Sequence, residues 1–459
     1  MMLAFSLVVF VPLAVCARLL AGSLLRPVAA FPAFWLAAVV VPVMYFGDEW
    51  GITRHALSYL ALGTALFSIG AFISSGRQRA TAAVNIDQPG RKFVVRGSAL
   101  AATAIAGIVA GVAASLYEMK RSDVSPESLL SIDGIFNMGN TIALDRYARL
   151  AVESGLTSAS SAPSSVLLGI VYIGAVVSPF LLLTQLRFRR WLIAGQLLSM
   201  LLYTTVTTSR GPLHFGVCLA GSAYVAVYVL RKGDVPRIGI RRLMALIGAV
   251  GVVAVIYMGV AVIRTGDVDS STGLTIQGKL TAYTLGHVPA FSQWLEIYDS
   301  SAEPEREPGW GTASIAGVGI LTGQDRYALR GYDEYVQLNE RGTTTNVSTM
   351  YRGLIVDFGY PGALGVIFLF GLATGAAYQQ AARRGSGAAA ATLACCYTTI
   401  LWSYGMSTLT WTNTTVAMAA GIAIVGWAVR PRSAMKRLGP TASASGITSA
   451  PATVLVNTR

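Results

Sequence analysis

The chain has 459 residues, of which 54% are hydrophobic and 12% are charged, half the charged fraction of roughly 25% in an average soluble domain. With a mean hydropathy of +0.57, this excludes an ordinary water-soluble protein. The net charge of +13 would point to nucleic acid in a soluble chain; in a membrane protein it reports how charges are sorted by side, and no nucleic-acid partner is expected. Four cysteines, Cys16, Cys218, Cys395 and Cys396, sit in apolar stretches. They imply neither a disulfide framework nor a zinc site.

The first apolar run lacks a basic leader and continues past any cleavage site, which predicts a retained helix. Stretches of about 20 apolar residues mark spans. Eleven occur, near 3–22, 28–46, 55–75, 98–117, 164–184, 191–208, 212–230, 243–263, 360–379, 388–404 and 413–429. The expected fold is therefore an all-α polytopic membrane protein over residues 1–430. Every odd-numbered span ends on a basic segment, as at Arg187, Arg189 and Arg190 or Arg383 and Arg384. The positive-inside rule makes these segments cytoplasmic, with the N-terminus outside and the C-terminus inside. Divided this way, the charge is +20 inside and −7 outside.

Two exterior segments are long, 118–163 and 264–350. Unstructured loops beyond about 15 residues are uncommon, and the aromatic content of 264–350 predicts helices of its own between spans eight and nine. Ile276, Leu280, Tyr283 and His287 have helical spacing, as do Phe291, Trp294, Leu295 and Tyr298. Gly286 and Pro289 are expected to break that run in two, and the aromatics to anchor it flat at the interface. Residues 431–459, rich in Ala, Ser, Thr and Pro, read as a disordered cytoplasmic tail.

The candidate chemistry lies at exterior helix ends. Arg210 closes Thr204–Arg210 in the short link between spans six and seven; Arg264 ends span eight; Arg352 precedes span nine. Each has a plain alternative in snorkelling to the interface. An exterior arginine runs against the charge bias, however, and a guanidinium matches phosphate oxygens at two points. Asp357 lies so close to a span that it needs solvation, an arginine partner or a substrate hydroxyl. His287, in the exterior helix break Leu285–Pro289, is a candidate general base or else an interfacial polar residue; His214, inside span seven, is expected to pack within the bundle. No histidine pair has ligand spacing and no Walker loop is present, so neither a metal nor a nucleotide cofactor is expected.

The stretch from Thr345-Asn346-Val347-Ser348-Thr349 through Arg352 to Asp357-Phe358-Gly359-Tyr360-Pro361-Gly362, running into a span, resembles the bacterial O-antigen polymerases, also called oligosaccharide repeat unit polymerases. The Thr-Ser-Arg-Gly turn at Thr208–Gly211 matches a second feature of that family. The span count, the large late exterior segment and the basic cytoplasmic turns agree. The resemblance implies a GT-C-like membrane glycosyltransferase of the bacterial plasma (inner) membrane. Such an enzyme polymerises undecaprenyl-pyrophosphate-linked repeat units into a surface polysaccharide (O-antigen, capsule or exopolysaccharide) on the exterior face. It implies no metal or nucleotide sugar, a flippase and a chain-length regulator as partners, and Arg210, Arg264, Arg352, Asp357 and His287 as site residues. Two readings stand beside it: a ligase moving a finished glycan to another acceptor, and a flippase for lipid-linked oligosaccharide. A flippase would favour mid-span charges and inverted repeats, whereas here the charges crowd at helix ends.

Overall fold

The structure is a computed structural model. It describes residues 1–46, 49–76, 93–152, 162–209, 211–236, 281–300, 308–315, 336–339, 343–347, 349–431 and 454–456, with single positions or short runs between 239 and 278 and at 318. Twelve helices are bounded within these residues: α1 Met2–Ala21, α2 Pro27–Phe46, α3 Arg54–Gly76, α4 Gly97–Arg121, α5 Ile132–Val152, α6 Ala162–Val177, α7 Arg189–Thr207, α8 Gly211–Lys232, α9 His287–Ser300, α10 Met350–Gln379, α11 Gly387–Trp402 and α12 Thr412–Ala428. Seven described helices are long and apolar enough to cross a membrane, and α11 and α12 are shorter apolar helices. The protein is thus an all-helical, multi-pass membrane protein. The expected span at 243–263 lies mostly outside the described residues, and its described positions are helical.

The helices alternate between two ends of one bundle. At the first end the α1–α2 turn, the end of α8 and the end of α10 are tied by a single carboxylate. Arg26 donates to both oxygens of Asp234, at 3.0 and 2.7 Å, and the Tyr378 hydroxyl donates to Asp234 Oδ1 at 2.8 Å. Arg26 also donates to the Ala21 carbonyl at 2.6 Å, closing the turn after α1. Arg96 N–H donates to the Ala428 carbonyl at the same end. There a three-stranded antiparallel sheet forms in the order β2–β1–β3, from β1 Phe93–Val95, β2 Val429–Pro431 and β3 Val454–Val456. For residues 454–456 the expectation of a disordered tail is corrected: their backbone completes the edge of β1.

Between the two ends, lipid-soluble helices gain little from the hydrophobic effect, so close backbone approach decides which ones pair. Helices α3 and α10 meet through glycines on both sides. A Cβ at Gly70 would strike the Phe368 carbonyl, and one at Gly371 or Gly375 would strike the Phe67 or Ala71 carbonyl. Helices α4 and α6 meet at Gly107 and Gly174, and the Gln196 side chain of α7 fills the space both leave. Gln196 Nε2 donates to the Val171 carbonyl at 2.9 Å, which satisfies a buried amide donor. Aromatic rings fill the larger core, with Phe31 stacked on Phe67 at 4.4 Å and Trp35 edge-on to Tyr351 at 5.3 Å.

Three features depart from the sequence expectations. The segment 118–163 carries a helix, α5, that its polar composition did not suggest. Pro289 does not break the later exterior segment: it is the third residue of α9, where its missing N–H costs no helical bond, and only Gly286 interrupts the run. The aromatics of α9 do not lie flat on an interface, since Phe291 and Trp294 are buried in the main core.

The Asp234 clasp makes a stability prediction. Burial pushes the Asp234 carboxyl up, but the bonds from Arg26, Tyr378 and the Val235 N–H outweigh it and hold it below its usual value. A depressed carboxylate stabilises the fold above its unfolded pKa of about 3.9, and that contribution is lost as pH falls through the folded value. The pair is half-exposed, with 37% and 49% of the two side chains accessible, so screening limits its contribution to about 1 kcal/mol. Asp234→Asn should lower the thermal midpoint of the detergent-solubilised protein at neutral pH. The gap to wild type should narrow as pH falls below the ordinary carboxylate value of about 3.9; a gap of constant size through that fall would contradict the assignment.

Candidate functional site

The Asp357–Gly362 turn sits where α10 changes direction. Gly359 has φ 64° and ψ −179°, inside what is otherwise a continuous helix, and Pro361 follows it. The Gly359 kink interrupts the helical ladder at this point, and Pro361 has no N–H to offer the Asp357 carbonyl. The loop 308–315 bonds to the Val356 and Asp357 carbonyls. Gly309 N–H donates to Val356 and Trp310 N–H to Asp357, each at 3.0 Å. The Asp357 carboxylate, itself fully buried, accepts from Ala313 N–H at 2.9 Å, from Ser314 N–H at 2.6 Å and from the Ser314 hydroxyl. Asp357 is therefore neither solvated nor placed to receive a substrate hydroxyl: it organises a loop. Trp310 is held in the left-handed region at φ 50° with its indole 72% exposed.

His287 occupies a comparable place. Pro42 removes the helical donor to the Ala38 carbonyl of α2, and His287 Nε2 supplies it at 2.8 Å. The ring is buried and stands edge-on to Tyr404 at 5.3 Å. Burial pushes its pKa down to about 4, which keeps it neutral and suits a single N–H donor. Arg352 is fully buried on the first turn of α10, with its guanidinium 5.4 Å from the Trp294 ring centre. His214 packs against Trp402 and meets the Tyr404 hydroxyl at 3.3 Å, within the bundle as expected.

None of Arg352, Asp357 and His287 lines the largely apolar cavity at the second end of the bundle. That cavity, about 250 Å³, is walled by the ends of α4, α6, α7, α8, α11 and α12 together with α5. Its aromatic walls are Tyr172, Tyr203, Phe215, Trp402 and Trp411; Thr207, Thr408, Thr414 and Asn413 supply polar groups, and Glu118 is the one carboxylate among its described lining residues. Trp402 and Trp411 both line the cavity. Glu118 is 5% exposed and accepts a hydrogen bond from the Ser164 hydroxyl. A rule that flags carboxylates beside spans was applied to Asp357 and applies equally to Glu118, which ends the apolar run of α4.

Arg210 and Arg264 lie outside the described residues. Their chain neighbours are described. Ser209 and Gly211, which flank Arg210, both line the cavity. Thr208, at φ 50° in the left-handed cap of α7, turns the chain toward α8. Ile263, which precedes Arg264, packs on Gly139 of α5, and the Thr208 methyl approaches the same glycine; a Cβ there would strike Ile263. The segments that carry the two arginines therefore meet on one turn of α5, one turn before the cavity-lining Ile142. Arrangements of this kind, aromatic faces with a few convergent polar groups in a concave site, suit a polar ligand with flat apolar faces.

Compared with protein-family models, with curated proteins and with solved structures, the chain matches none.

Removal of the Asp357 carboxylate should loosen the 308–315 loop. In Asp357→Ala two buried N–H groups lose their acceptor, at about 1–3 kcal/mol each. The expected result is a lower thermal midpoint with faster amide exchange at Ala313 and Ser314, and a smaller effect in Asp357→Asn, whose amide oxygen still accepts. Unchanged exchange at both positions would show that the carboxylate does not hold the loop.

Proposed function

We propose that this protein is a membrane glycosyltransferase of the oligosaccharide repeat unit polymerase kind. In this reading it has eleven spans, a GT-C-like arrangement and an N-terminus outside the bacterial plasma membrane. The cavity opens on the exterior face, where repeat units carried on undecaprenyl pyrophosphate are joined. The observation that carries the reading is the convergence of the two arginine-bearing links, 208–211 and the end of the 243–263 span, beside an aromatic cavity that holds a buried carboxylate. The resemblance of Thr208–Gly211 and of the Asp357–Gly362 turn points the same way.

The chemistry asks for these groups. A hydroxyl of the acceptor sugar attacks the anomeric carbon of the donor chain, and the bond to the lipid pyrophosphate breaks. Negative charge develops on that leaving group, and cations fixed in advance stabilise it without reorganising. Arg210 and Arg264 serve this role, each guanidinium offering a planar two-point fit to phosphate oxygens. The aromatic walls hold sugar rings by their apolar faces. Ligand pockets start at about 300 Å³, so a cavity of about 250 Å³ admits the reacting sugar and leaves the rest of the repeat unit outside.

Arg210→Ala or Arg264→Ala in the host should collapse its surface glycan from long chains to single repeat units on a gel. Arg210→Lys should rescue in part, since lysine lacks the planar fork. Unaltered long chains in both alanine variants would refute the reading. Accumulation of lipid-linked units in the cytoplasmic leaflet would favour a flippase, and long chains that stay on the lipid carrier and fail to reach their final acceptor would favour a ligase.

A further inference from the structure

Glycosyl transfer to a hydroxyl needs a group that takes the hydroxyl proton. The two sequence candidates are committed elsewhere, His287 to the Ala38 carbonyl and Asp357 to the 309–314 loop. Among the described residues lining the cavity, Glu118 is the one carboxylate. It lies at the end of α4, buried to 5% exposure, with Ser164 of α6 donating to Oε1. A carboxylate has about four lone-pair sites, so one serine donor orients it without saturating it. Trp402, Trp411, Tyr172 and Tyr203 stand around the same space.

We propose that Glu118 is the catalytic base of this cavity, oriented by Ser164, and that it takes the proton of the acceptor sugar hydroxyl. The proposal rests on the glycosyltransferase reading and assigns the acceptor to the α4–α6 side of the cavity. The acceptor O–H proton passes to the Glu118 carboxylate as the oxygen bonds to the anomeric carbon of the donor. The bond from that carbon to the pyrophosphate oxygen breaks, and its electron pair leaves with the lipid pyrophosphate. The protonated Glu118 then returns its proton to solvent at the exterior face. No oxidant, metal or nucleotide enters the balance. Ser164 is a positioning residue: its hydroxyl fixes one carboxylate oxygen, so that the other faces the acceptor.

The assay uses the full-length protein in membrane vesicles, with lipid-linked repeat units extracted from host cells that lack this protein. Wild type, Glu118→Gln, Glu118→Asp, Glu118→Ala, Ser164→Ala and Arg210→Ala are compared for chain formation and thermal midpoint. Glu118→Gln keeps the shape and the Ser164 bond. Loss of a general base should lower its kcat by about 10²–10⁴-fold, while KM stays within about threefold because the proton moves only in the transition state. Glu118→Asp should keep part of the rate. Added formate, small enough for the space left, should restore Glu118→Ala, whereas chloride at equal ionic strength should not. Ser164→Ala should lower kcat by less than Glu118→Gln. A purely structural carboxylate would give a lower midpoint and a rate that falls only with the amount of folded protein, with no formate rescue; that result overturns the proposal. Glu118→Gln at wild-type rate with an inactive Arg210→Ala also overturns it, while the polymerase reading survives. Wild-type vesicles that build no chains from the extracted units would remove the polymerase reading, and the base assignment with it.

Discussion

A backbone carbonyl deprived of its helical donor has to find another, because an apolar surrounding offers no water to take that place. This constraint organises the second end of the molecule. Pro42 leaves the Ala38 carbonyl of α2 open, and His287 closes it. The Gly359–Pro361 break interrupts the helical ladder, and Gly309 and Trp310 donate to the Val356 and Asp357 carbonyls. In each case a proline in a long helix becomes the docking point of a segment from outside the bundle. The same turn brings the Asp357 side chain to Ala313 and Ser314, so one helix break fixes a loop by both main chain and carboxylate.

These docked segments close the bundle on one side, around α2, α3 and α10, with Phe291 and Trp294 sunk into the main core. The cavity forms on the other side, at the ends of α4, α6, α7, α8 and α12. The division separates holding from binding. On the closed side His287 and the Asp357 carboxylate hydrogen-bond with the fold's own backbone. On the open side the aromatic walls, the threonines and the Glu118–Ser164 pair surround a space a ligand can enter. The first end, clasped by Arg26, Asp234 and Tyr378, fixes the helix directions on which both halves depend.

Much of the fold is legible in the sequence because the signals are local. The apolar runs at 3–22, 28–46, 55–75 and 98–117 match α1 to α4 to within a few residues at most of their ends, and the basic turns gather where those helices end together. A helix such as α5, amphipathic and polar enough to resemble a loop, has no such signal. Pro289 was misread for the opposite reason: the rule that proline breaks a helix holds in its interior and fails in its first turn. The site was harder. Asp357 and His287 drew attention as polar groups beside apolar runs, which is a sound sign of a constraint but does not say whether that constraint is a ligand or the protein's own backbone. Glu118 is likewise a carboxylate at the end of an apolar run, with Lys120 and Arg121 beside it in the chain.

What the sequence alone determined is the class of molecule and the placement of its charges along the chain: hydropathy is a sum over neighbours, and so can be read without coordinates. The tertiary structure decided which polar residues are occupied and which share a cavity. Glu118 and Ser164 are 46 residues apart, and Thr208 and Ile263 meet only through Gly139. Such meetings depend on which helix faces allow close backbone approach, a property of pairs of helices that no single stretch of sequence contains.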